Sequence, residues 1–193
     1  MYNIEKELSV LNYYPIKIAG VDRKLPICRV NDELYIGAFV IFGDTELTVA
    51  AASALLEKAP EYDYIITAEA KGIPLVYEMA RQADAKYLLA RKKPKLYMTG
   101  VFEVEVNSIT TASSQKLYLD VEDANLMKGK RVLIVDDVIS TGESLKAIET
   151  LVEKAGGIIC GKMAILAEGS AADRDDIIYL ERLPLFNPDG SVK

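Results

Sequence analysis

The chain has 193 residues, half of them hydrophobic and 27% charged, the size and composition of one globular domain with a developed core. Its net charge of −6 argues against a nucleic-acid surface as the main feature, because duplex binding rewards clustered Lys and Arg. It contains no His, which excludes His-based catalytic triads and His metal sites.

Met1 to Ile16 carries scattered charges and no apolar stretch of the signal-peptide kind. No run approaches the roughly 18 apolar residues of a membrane span, so a cytoplasmic protein without membrane or nucleic-acid partners is expected. Cys28 and Cys160 are far apart, lack C-x-x-C spacing and read as reduced thiols acting as small buried hydrophobes. Residues 1–43 are mixed and strand-like, above all from Leu34 to Phe42, and are expected to form a small subdomain over one end of a sheet.

From Asp44 onward strand and helix alternate. Asp44 and Thr45 are candidate N-caps for an Ala- and Leu-rich helix running to about Lys58, stopped by Pro60. Tyr64 to Thr67 is a short strand, Glu69 to Gly72 a loop, and Ile73 to Gln82 a helix with Pro74 in its first turn. Tyr87 to Ala90 is a second strand. Residues 91–120 are basic at first, then rich in Ser, Thr and Val, and predict a long hairpin or mobile loop, the kind of segment that usually carries function. Arg131 to Val135 is a third strand whose unalternating β-branched character implies burial on both faces. Gly142 to Lys154 is a helix, ended by Gly156-Gly157, and Ile158 to Leu166 a fourth strand. The repeat predicts an α/β fold with a mostly parallel sheet covered by helices. Residues 44–168 would be its core and 169–193 a C-terminal tail, within one domain spanning 1–193.

Val132 to Ser144 carries the most chemistry. A buried strand leads into two adjacent acids, Asp136 and Asp137, then a tight turn, Ser140-Thr141-Gly142-Glu143-Ser144, that opens a helix. Amides at a helix start and the hydroxyls of Ser140, Thr141 and Ser144 suit a phosphate, and Gly142 lets the backbone approach closely. Acids cannot bind phosphate, so Asp136 and Asp137 suit sugar hydroxyls, a cation, or both. A capping box of Ser140 with Glu143 is the plainer explanation of the turn. It does not explain two acids at the end of a buried strand, where charge is expensive without a partner.

This stretch closely resembles the phosphoribosyl pyrophosphate (PRPP) motif of type I phosphoribosyltransferases: hydrophobic strand, two acids, then a Ser/Thr-Thr-Gly turn. The resemblance runs from about Asp44 to Leu166 and implies that family's helix-flanked parallel sheet, with a small hood and a flexible flap. It implies Asp136 and Asp137 on the ribose hydroxyls and Ser140, Thr141, Gly142, Glu143 and Ser144 around the 5′-phosphate. Ala70, Lys71 and Gly72 look like the pyrophosphate loop, where the family often has a cis peptide; the matching bond is Ala70-Lys71. Taken alone, a helix-leading loop with a solvated Lys explains that segment as well.

Arg91 and Lys92 match an Arg-Lys pattern that grips pyrophosphate, with Lys95 as a third contact; a solvated charge run is the plain alternative. Val40 to Asp44 resembles the hood of adenine phosphoribosyltransferases, which places Ile41, Phe42 and Gly43 at the base and Val138 opposite them. Core packing is the other reading of Phe42. That hood usually carries an Arg where this chain has Gly43. The flap would lie within Tyr97 to Ser114. It lacks the Glu common in adenine enzymes, with Thr111 near that place, and Ser108 to Ser114 is more like the xanthine enzyme and purine-repressor branch.

The implied reaction joins PRPP to a purine base, adenine first and xanthine or another 6-oxopurine next, giving a nucleotide and pyrophosphate in purine salvage. Mg²⁺ would arrive with PRPP, with Asp136 and Asp137 as candidate contacts, and the implied assembly is a homodimer. A non-catalytic PRPP- or purine-sensing domain is the rival reading. Neither G-x-x-x-x-G-K-[ST] nor G-x-G-x-x-G occurs, which sets aside a P-loop kinase.

Overall fold

The computed structural model describes residues 12–107 and 114–193. In chain order the elements are β1 Tyr13–Ile18, β2 Val21–Arg29, β3 Tyr35–Gly37, α1 Thr45–Leu56, β4 Tyr64–Ala68, α2 Ile73–Ala83 and β5 Tyr87–Ala90. They continue with β6 Val101–Asn107, β7 Ser114–Asp120, α3 Val121–Met127, β8 Arg131–Ile139, α4 Glu143–Lys154 and β9 Ile158–Glu168. A 3₁₀ turn at Gly169–Asp173, β10 Ile178–Leu183 and β11 Leu185–Phe186 complete the chain.

The centre is a five-stranded sheet in the order β10-β9-β8-β4-β5. Every pairing in it is parallel. The central strand β8 is apolar without alternation because both its faces are covered. Leu133 and Val135 pack with Leu47, Leu55 and Met79 of α1 and α2. Val132 and Ile134 pack with Leu145, Ile148 and Leu151 of α4 on the other face. The hairpin β6–β7 lies on that second face through Val104, Leu117 and Leu119.

Several boundaries differ from the sequence reading. The third strand continues beyond Val135 to Ile139, because Asp136, Val138 and Ile139 stay in register with Ala164, Leu166 and Ala167 of β9. The acids therefore lie inside a strand rather than after one. Residues 38–42 form no ladder, although Phe39 and Ile41 are buried while Val40 and Phe42 are exposed. The alternation of burial that suggested a strand there is real, and the Ala38 amide still donates to the Pro26 carbonyl of β2 at 2.9 Å, but the strand itself ends at Gly37. α1 ends at Leu56. The segment 169–193, expected to be a tail, supplies β10 to the central sheet and β11 to a second sheet ordered β1-β2-β3-β11. Cys28 and Cys160 are free and half-buried rather than buried, and desolvation pushes the Cys160 thiol up, away from reactivity.

Two local devices set α1 against the N-terminal sheet. Asp44 caps the helix by accepting from the Leu47 amide at 3.1 Å. The same carboxylate receives the fork of Arg23 from β2 at 2.7 and 2.8 Å. Among the described residues no helix is long and apolar enough to cross a membrane.

Candidate functional site

In open parallel sheets the ligand crevice lies beyond the carboxyl ends of the strands. Here the ends of β4 and β8 open onto a cavity of about 360 Å³ lined by Glu69, Ala70, Lys71, Lys92, Asp136, Asp137, Val138 and Ser144. A smaller adjoining cavity is lined by Ser140, Thr141, Gly142 and Ser144, and shares Asp136 and Val138 with the first. Side chains separated by more than seventy positions in sequence thus meet at two neighbouring strand tips.

The two acids differ in environment. Asp137 is 3% exposed. Its Oδ2 accepts from Nζ of Lys71 at 2.5 Å, which supplies the partner a buried carboxylate needs. Asp136 is half-buried and accepts the Asp137 amide at 2.9 Å. Its carboxyl is pushed up to about 7, by burial first and by the neighbouring Asp137 charge second.

The turn 140–144 is not a capping box. The helix begins at Glu143, and its N-cap is Gly142, at φ +81° with no side-chain cap hydrogen bond. Only glycine adopts that left-handed conformation freely. It presents the first amides of α4 toward the smaller cavity, where orphan N–H groups suit an anion.

The opposite wall is built from charge pairs. Glu69 at the end of β4 accepts from Arg91 at 2.7 Å and from the Lys92 amide at 3.0 Å. Lys95 stands 3.6 Å from the same carboxylate. Burial works against the Glu69 charge, but these donors and cations outweigh it and hold the carboxyl below its ordinary range. Arg91 and Lys95, expected on pyrophosphate, thus gather around Glu69, while Lys92 lines the cavity. Lys71, also expected on pyrophosphate, pairs with Asp137. The cis peptide is Glu69-Ala70, one bond earlier than Ala70-Lys71. Beside it the Glu69 amide donates to the Ala90 carbonyl and the Ala70 carbonyl accepts from the Ile73 amide. Gly72 fits against Thr67 and Asp136: an added Cβ would lie 2.2 Å from the Thr67 hydroxyl and 3.2 Å from Asp136 Oδ1.

The hood residues do not line either cavity. Ile41 is fully buried and its carbonyl accepts the Asp44 amide at 3.1 Å. Phe42 is 52% exposed, which removes core packing as its explanation. Gly43 has φ +81° with open space beside it. Of the expected flap, residues 108–113, Thr111 included, lie outside the described residues. Sequence reasoning missed Glu69 as the organiser of the basic segment; the signal available was an acid between a strand end and a Lys-Gly turn.

Among the described residues no group of three or more Asp, Glu or Cys gathers to cage a metal. The two acids at the strand tip instead fit a cation that brings most of its ligands with it, as Mg²⁺ does with phosphate oxygens and water.

Fold and site together define an α/β protein of the parallel-sheet type with a polar cavity at its strand ends. The model of the phosphoribosyl transferase domain family matches residues 43–183. The chain belongs to that family. A hypoxanthine/guanine phosphoribosyltransferase of Methanocella paludicola is 38% identical over 109 residues, 56% of this chain and 53% of that protein. One of Methanotorris igneus is 41% identical over 107 residues, 55% of each. The matched stretch spans about half the length of these curated relatives. An adenine phosphoribosyltransferase of Rhodothermus marinus shares the fold at TM-score 0.64 and 23% identity, over 90% of this chain and 95% of that one. The Saccharomyces cerevisiae enzyme, solved with adenine, does so at TM-score 0.60 and 20% identity, over 91% and 95%.

Proposed function

We propose that the chain transfers the 5-phosphoribosyl group of PRPP to a ring nitrogen of a purine base, releasing pyrophosphate. The observation that carries this is the single cavity in which Lys71, Lys92, Asp136, Asp137 and Ser144 converge beside the hydroxyl-and-amide turn. Such a displacement builds positive charge at the ribose and negative charge at the leaving group, and catalysis favours both. Asp136 and Asp137 hold the ribose hydroxyls and set the C1 face presented to the base. The turn 140–144 anchors the 5′-phosphate. Lys71, with three ammonium donors, keeps one on Asp137 and turns others to the pyrophosphate. Lys92 adds a second cation, and Arg91 and Lys95 swing from Glu69 toward the same group. Asp136 and Asp137 would hold a Mg²⁺ arriving with PRPP, and the cation would neutralise charge on the leaving group.

The base readings divide. The names of the relatives at 38–41% identity favour a 6-oxopurine. The Ile41-Phe42-Gly43 hood favours adenine, with the exposed Phe42 free to stack. We place hypoxanthine and guanine ahead of adenine. Glu168, whose carboxyl burial pushes up and the Lys71 charge pulls down, ends β9 near the cavity and is placed to contribute to the choice.

The test is to mix the protein with Mg²⁺, PRPP and each of hypoxanthine, guanine, xanthine and adenine, measuring nucleotide and pyrophosphate. Product with a 6-oxopurine is expected. PRPP binding without product from any base would instead support a sensing domain, and absence of PRPP binding would sink the reading altogether. The assembly expected is a homodimer, to be checked by light scattering.

A further inference from the structure

The phosphate turn brings no cation of its own. The cavity around Ser140, Thr141, Gly142 and Ser144 takes in Asp136 but no Lys or Arg. A phosphate there would meet amides and hydroxyls, with an acid at its side and no side-chain positive charge from the turn.

Arg174, in the connection between the 3₁₀ turn and β10, brings such a charge beside Gly142 without itself lining the cavity. A Cβ added to Gly142 would lie 2.9 Å from its Nη1. The guanidinium is held in place from one edge. Its Nε and Nη2 donate to the two oxygens of Asp176 at 2.8 and 2.7 Å. Asp176 also accepts from Nζ of Lys162, and Lys162 donates to Glu149 of α4 at 3.0 Å. The Lys162 and Glu149 side chains are only 18% and 12% exposed. This chain of pairs ties the guanidinium to the same helix whose first turn forms the cradle. Nη1 makes no hydrogen bond among the described residues and lies on the Gly142 side. A bidentate partner on one edge leaves the remaining donors of the planar fork aimed and available.

We propose that Arg174 is a phosphate-recognition residue, its Nη1 supplying the cation for the sugar 5′-phosphate at the turn 140–144, with Asp176 as its positioning residue. The proposal rests on the reading of that turn as the 5′-phosphate site. Neither residue belongs to the strand-end motif; both reach it from the segment that sequence marked as a tail.

The experiment measures the affinity of the full chain for inosine and adenosine 5′-monophosphates and for the unphosphorylated nucleosides. Wild type, Arg174→Gln, Arg174→Lys and Asp176→Asn are compared, with thermal unfolding as a check on folding. Wild type should prefer the nucleotides. Arg174→Gln should lose ~10- to 100-fold of that preference, the range of a charge-assisted hydrogen bond, while nucleoside affinity holds within about twofold. Arg174→Lys should recover part of the loss, and Asp176→Asn should show a smaller loss in the same direction. The KM for PRPP should rise in parallel with little change in kcat, because the 5′-phosphate is held equally in ground and transition states. A full wild-type preference in Arg174→Gln overturns the proposal, as does equal weakening of nucleotide and nucleoside, which marks a mere brace for the loop. A wild type with no preference overturns the assignment of the turn itself, and the proposal with it.

Discussion

The two walls of the cavity are made differently. The turn 140–144 offers backbone amides and hydroxyls, groups fixed by the left-handed Gly142 and the start of α4. The opposite wall, loop 69–72 with the basic segment 91–95, offers charged side chains that have partners already: Lys71 on Asp137, Arg91 and Lys95 on Glu69. On the proposed reading, the first wall meets the phosphate with groups that have no carboxylate to give up. The second, on the same reading, exchanges carboxylates for pyrophosphate, so its affinity is a difference between two sets of ion pairs. Amides cannot be neutralised by a neighbouring acid, whereas ammonium and guanidinium groups can.

The sharpest way to break the second wall is Asp137→Asn. It removes the buried partner of Lys71 and, on the proposed reading, one ribose contact. Turnover should fall by ~10²- to 10³-fold, the scale for losing one preorganised electrostatic contact, with the circular dichroism spectrum unchanged. Turnover at the wild-type rate would refute the role of Asp137.

Gly72→Ala probes how closely that wall is packed. The new methyl would overlap the Thr67 hydroxyl, at 2.2 Å from the Cβ position. Overpacking of this kind costs about 1–3 kcal/mol, and kcat/KM should drop more than the stability change alone accounts for. An unfolding midpoint equal to wild type would show that the loop shifts freely.

The pH profile separates the two acids. Asp136, at about 7, keeps its proton in the folded chain over a range where the unfolded chain, with an ordinary carboxyl near 4, has lost it. The folded state therefore binds more protons between roughly 4 and 7. This contribution to stability is full below the lower value and is lost as pH rises through about 7. Asp136→Asn should flatten that slope and raise the unfolding midpoint at pH 8. The kcat/KM of wild type should climb through the same window as the ribose-binding carboxylate ionises.

Glu69→Gln should give the smallest effect. Releasing Arg91 and Lys95 should tighten pyrophosphate inhibition by ~2- to 5-fold, the scale of a partly exposed ion pair, and the gain should fade at high salt. Weaker inhibition would mean that Glu69 aims these cations rather than competing for them.

What was legible in the sequence was whatever depends on neighbours in the chain. The double acid after an apolar run, the glycine opening a helix and the Asp44 cap all announce themselves within a few residues; the Asp44 cap stands where it was read, and Gly142 caps a helix that begins one residue later. The extension of β8 through Asp136 and Asp137 was not legible, because polar residues in a strand are licensed only by the register with β9. Phe42 stood between core and surface on composition alone, and the fold leaves it 52% exposed.

The sequence by itself determined the α/β class, the alternation of elements and the glycine turn that opens α4, since hydrophobic periodicity and turn chemistry are local properties. Tertiary structure alone decided which charges meet. Lys71 finds Asp137 across 66 positions, Arg91 finds Glu69 across 22, and Arg174 arrives beside Gly142 from the far side of β9. Ion pairing depends on distance in space at strand ends, and only the closed sheet sets that distance.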